Sequence, residues 1–212
     1  MGQSNAKQDS GWEKNTEETE KPILVSFIPN NNNTQFTEAK ARDCEDRSSF
    51  CSYCAKMAVI IISEESSQND LLKKVENGSF TNSSLASTVW NDFLKLGFTA
   101  FNTNEREMRD PDEIDDEGKL EEGLVCHNND DLGITKPKFM DKMKESQYTV
   151  LNLSGETVLV FRLGNENGPF LFVDTHKKGG FYRINDLDRW VDETIYPQDI
   201  HVPPMAYFSK QK

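Results

Sequence analysis

The sequence has no long apolar run, little positive charge and few cysteines, and each shortage excludes a class of protein. Its longest uninterrupted apolar stretch covers residues 57–62, far short of the roughly 20 residues that cross a bilayer as a helix. The N-terminus has no apolar h-region, so no secretory signal is expected there. Lysine and arginine number 24 against 36 acids, a formal net charge of -12. Such a chain repels phosphate backbones unless its bases cluster, and they do not cluster. Nucleic acid is therefore not expected as a partner. A protein partner of basic character suits the charge better. The four cysteines, without an export signal, read as reduced thiols rather than a disulfide framework.

Metals and cofactors are not expected either. Cys51-Ser52-Tyr53-Cys54 is a C-x-x-C pair, but Cys44, Cys126 and His127 do not supply the second well-spaced pair of a structural zinc site. A redox C-x-x-C would have to open a helix after a strand. The acidic stretch from Asp110 to Gly118 fails as a calcium loop, because Ile114 falls on a ligand position and the glycine is misplaced.

What is present begins with an arm. Residues 1–20 are polar and aperiodic, which predicts disorder. The start, Met1-Gly2, resembles the N-myristoylation signal M-G-x-x-x-[ST], with Ala6 in place of the hydroxyl residue. Gly2 is thus a candidate lipidation site. One acyl chain without a polybasic patch gives only reversible contact with a membrane surface.

Residues 21–200 read as one globular domain of the α+β class. Short helices in the N-terminal half are expected to pack on a largely antiparallel sheet formed mainly by the C-terminal half. A strand is expected at 23–28, and the isoleucine-rich run 57–62 is read as another. A short helix is expected at 70–76. Leu85, Val89 and Phe93 form an apolar stripe that predicts a helix over 84–96, stopped by Gly97. Residues 98–101 then read as a strand. The segment 103–123 is an acidic loop, with ten acids against three bases between positions 105 and 122. Small elements are expected at 124–126 (strand) and 138–146 (helix). Strands at 148–153, 157–163, 170–174 and 181–184 precede a short helix capped by Asn185. Residues 201–212 read as an extended C-terminal tail.

One constellation carries chemistry. Asp174 and His176 stand two apart at the end of an apolar strand, a spacing that puts them on one face. A carboxylate that orients an imidazole activates a thiol held near it. Cys51 or Cys54 precedes the histidine by over a hundred residues, the order used by papain-like peptidases. The fragment Phe170-Leu171-Phe172-Val173-Asp174-Thr175-His176 resembles the Asp-x-His strand of herpesvirus tegument deubiquitinases over those seven residues. Ser48, Ser49 and Phe50 occupy the stretch where an oxyanion-stabilising Gln or Asn usually precedes the cysteine.

Two functions follow. The first is a non-enzymatic interaction or adaptor protein that visits membranes through Gly2 and binds a protein partner. It accounts for the charge and the N-terminus, and the sequence favours it. The alternative is a papain-like cysteine hydrolase, of peptidase or deubiquitinase type, using Cys51 or Cys54 with His176 and Asp174.

Overall fold

From residue 148 onward, successive side chains alternate between two separate apolar clusters, and that alternation builds the centre of the protein. In β3 (Tyr148–Leu153), Val150 joins one cluster and Leu151 the other. In β4 (Glu156–Arg162), Leu159 and Phe161 point opposite to Val158 and Val160. β5 (Phe170–Val173) and β6 (Phe181–Ile184) repeat the pattern. A strand buried on both faces needs a layer on each side.

The computed structural model describes residues 21–42, 50–76, 84–104, 119–165, 167–199 and 201–210. Its sheet has seven strands, all paired antiparallel, in the order β1-β6-β5-β4-β3-β7-β2. β1 is Leu24–Ser26, β2 Leu124–Val125 and β7 Met205–Phe208. One face carries α1 (Gln35–Ala41), α2 (Phe50–Ser63), α3 (Glu65–Glu76) and α4 (Ser84–Asn104). The other carries α5 (Lys136–Glu145) and α6 (Leu187–Thr194). The chain is α+β, with four of its helices in the N-terminal half and most of its strands in the C-terminal half.

Several local expectations are corrected. Residues 57–62 are not a strand but the second half of α2. Cys51, Cys54, Ala55, Ala58 and Ile62 are buried at helical spacing while Ile60 is exposed, so the isoleucine run is split between faces. Tertiary packing of that stripe outweighs β propensity, which spans only about 1 kcal/mol. Residues 98–101 continue α4, and Gly97 lies inside the helix instead of ending it. A Cβ on Gly97 would stand 2.8 Å from the Cys54 sulfur and 3.0 Å from its Cα. Gly97 is therefore the point where α4 closes on α2. Asp186, not Asn185, caps α6, its carboxylate accepting from the Arg189 N–H. The expected tail at 201–212 supplies β7, which lies between β3 and β2. The arm 1–20 and acidic positions 105–118 lie outside the described residues.

Gly97→Val should destabilise the domain. Overpacking a close contact costs about 1–3 kcal/mol, whereas valine recovers at most about 0.5 kcal/mol of helix propensity over glycine. The expected melting temperature is roughly 3–8 °C lower for a chain of this size, read by circular dichroism. An unchanged melting point would mean that the two helices can separate freely at this site.

Candidate active site

α2 begins at Phe50, which places Cys51 in its first turn. The N–H groups of a first turn have no partners within the helix, and the helix dipole favours negative charge there. The turn is pinned to the sheet: the Ser52 and Thr157 hydroxyls are 3.0 Å apart, and both residues are buried. Thr157 also lies close enough to the Cys51 sulfur to favour its ionised form. The thiol is thus held against β4, beside the end of β5.

Past β5 the chain turns over 174–180 before entering β6. Asp174 Oδ1 accepts from the His176 backbone N–H at 3.1 Å and lies 3.0 Å from His176 Nδ1. The neighbours are therefore brought together by an aspartate-stabilised turn, not by two positions on one strand face. Gly180 makes this turn possible, because a Cβ there would sit 1.9 Å from the Asp174 carbonyl oxygen. Lys177 Nζ stands 3.0 Å from Asp174 Oδ2. The Asp174 side chain is only 3% exposed and that of His176 11%. Phe36 covers the imidazole at a centroid distance of 5.8 Å.

With Nδ1 engaged by Asp174, the remaining ring nitrogen is the one available to the thiol. The Cys51 thiol and the His176 ring are close enough to act on each other through hydrogen bonding and charge. Burial pushes the Cys51 pKa up, but His176 and Thr157 together outweigh it and hold the thiol below its ordinary value. Burial lowers the His176 pKa, whereas Asp174, Cys51 and Glu156 raise it, with a net result of about 9. Asp174 is raised by burial and lowered by His176 and Lys177, and ends below the usual carboxylate range. These directions favour transfer of the Cys51 proton to the imidazole, with a buried carboxylate steadying the ring.

Of the two candidate thiols, only Cys51 meets His176. Cys54 lies one helical turn further on, fully buried against α4, and burial pushes its thiol well up. Cys126 packs on the opposite side of the sheet, its thiol pushed up to about 12 by burial. It cannot join Cys51 and Cys54 around one metal. Glu156, Asp174 and His176 do bring ligand atoms within 4.8 Å of one another. Lys177, already on Asp174, supplies there the positive charge that a cation would bring.

The sequence reading missed four participants: Gln35, Thr157, Glu156 and Lys177. Gln35 starts α1 and is buried. Its backbone N–H donates to the Thr175 carbonyl at 2.9 Å, and its Oε1 accepts from the Thr175 hydroxyl at 2.7 Å. An amide thus sits beside the 174–180 turn, although no Gln or Asn stands just before the cysteine in sequence. Only the capping pattern of Thr34 hints at where α1 begins, and nothing local ties Gln35 to Thr175.

Comparison with protein-family models and with curated proteins finds no match, so this geometry alone supports a functional reading.

Proposed function

We propose that the protein is a papain-like cysteine hydrolase that cleaves peptide or isopeptide bonds, with Cys51 as nucleophile. The observation that carries this reading is the meeting of Cys51 with an imidazole whose other nitrogen is held by buried Asp174. The Cys51 thiolate attacks the substrate carbonyl carbon and forms a tetrahedral oxyanion. The first-turn N–H groups of α2 and the Gln35 amide are the candidate donors to that oxygen. His176 then gives its proton to the departing amine, leaving a thioester on Cys51. The neutral imidazole next takes a proton from water, which attacks the thioester, releases the acid and restores the thiol pair.

The charge of -12 favours a substrate protein of basic character, brought in by long-range attraction. The adaptor reading draws on that same charge, but no buried arrangement in the fold is explained by it. We further propose that Gly2 carries a myristoyl group and gives reversible membrane contact. That proposal rests on the Met1-Gly2 start. Among the described residues, no helix is long and apolar enough to cross a membrane.

One experiment addresses both proposals: brief iodoacetamide treatment at pH 6 followed by mass spectrometry of the whole chain and its peptides. An ordinary thiol is only about 0.3% ionised at that pH. Even after allowing for the weaker nucleophilicity of a low-pKa thiolate, Cys51 should react roughly 10- to 100-fold faster than the other cysteines. His176→Ala should erase that lead. Equal, slow modification of all four cysteines would refute the hydrolase. The same spectra, on protein from a eukaryotic host, read the N-terminus, and a bare Gly2 would dismiss lipidation.

A further inference from the structure

Cys51 and Cys54 share the first turn and a half of α2, the first against His176 and the second fully enclosed under α4. We infer that the two form a reversible disulfide under hydroperoxide, making Cys54 a resolving thiol that switches the site off and protects it from irreversible oxidation. The geometry permits it. Residues three apart in a helix have Cα atoms about 5 Å apart, within the roughly 4.4–6.8 Å that disulfides span. Their Cβ atoms are about 5–6 Å apart on one face, so the turn must tighten by roughly 1–2 Å. An end turn can do so, because few helical hydrogen bonds restrain it.

The chemistry balances with a hydroperoxide as oxidant. The Cys51 thiolate attacks the O–O bond, an S–O bond forms and hydroxide leaves. The Cys54 sulfur then attacks Cys51, an S–S bond forms and the S–O bond breaks. The hydroxide from the peroxide takes its proton from the His176 imidazolium, and the hydroxide leaving Cys51 takes the proton of the attacking Cys54 thiol, so each departs as water. Two thiols are oxidised to one disulfide, and hydrogen peroxide is reduced to two waters. No other described thiol competes, because Cys126 lies across the sheet. The loss of hydrolysis rests on the proposed function; the disulfide itself does not.

Trypsin cuts after Arg47 and Lys56, so both cysteines fall in one peptide, 48–56. The full chain is treated with hydrogen peroxide, alkylated, digested and weighed. The expected peptide is unalkylated and two hydrogens lighter than its reduced form, and dithiothreitol reverses the change. In Cys54→Ala, Cys51 should reach the sulfinic acid on the order of tenfold faster, because a neighbouring thiol has an effective concentration that external thiols lack. Wild-type protein whose Cys51 goes to sulfinic acid, or pairs with Cys44, without the internal disulfide overturns the inference. That readout needs no variant. If the disulfide forms but reduced protein hydrolyses no amide, the hydrolase reading fails and the switchable pair stands.

Discussion

Cys51→Ala should abolish amide hydrolysis, with a loss of at least about 10⁴-fold, while Cys54→Ala keeps most of it. Removing the nucleophile leaves only the background that binding and oxyanion contacts provide, and such knockouts cost about 10⁴–10⁶ in turnover. The contrast between two cysteines three residues apart is what makes the test sharp. Cys51 faces the imidazole, whereas Cys54 is sealed beneath α4 with its thiol held strongly in the protonated form. Hydrolysis of a panel of fluorogenic peptide and isopeptide amides measures both variants. Equal residual activity in the two variants would show that neither sulfur is the nucleophile.

The second large effect belongs to Asp174. Replacing it by asparagine keeps the size of the side chain but removes the charge that orients Nδ1–H and holds Lys177. In a triad of this logic, that change costs on the order of 10⁴ in turnover through the wrong tautomer. It should also change the pH profile. Leaving-group protonation needs the imidazolium, so wild-type activity falls as pH rises through about 9. With Asp174 neutral, the largest effect raising the imidazole pKa is gone and the alkaline limb moves toward neutrality. The acid limb of the wild type follows Cys51, whose pKa His176 and Thr157 hold below its ordinary value. A variant with wild-type turnover and an unmoved alkaline limb would show that Asp174 merely shapes the turn.

The same shift affects stability. The folded pKa of His176 lies above the unfolded value of about 6.5, so the folded state holds the proton more tightly. Its stabilising contribution is complete below that unfolded value and is lost as pH rises through about 9. Asp174 works in the opposite direction. Its lowered pKa stabilises the fold above the ordinary carboxylate value, and this is lost as pH falls below it. Between those limits the ionisation state that the proposed hydrolysis needs is also the one that stabilises the fold. A site built on paired charges therefore adds to stability across the neutral range.

The sequence by itself determined the class of the fold and the half of the chain that makes the sheet. Period-two alternation in residues 148–184 is a local property, set by the pleat, and it survives into β3, β4, β5 and β6. It also marked Asp174 and His176 as a pair, since two residues apart is a local relation whether a strand or a turn realises it. Local pattern failed where packing between elements decides conformation. The isoleucine run became helix because Cys54, Ala58 and Ile62 line one face against α4, and Gly97 stayed helical because another helix presses on it. The choice of Cys51 over Cys54 was also tertiary. It depends on where the first turn of α2 meets β4 at Thr157, a contact between residues 105 apart whose register no local pattern encodes. Gln35 reaches Thr175 across 140 residues by the same kind of long-range closure.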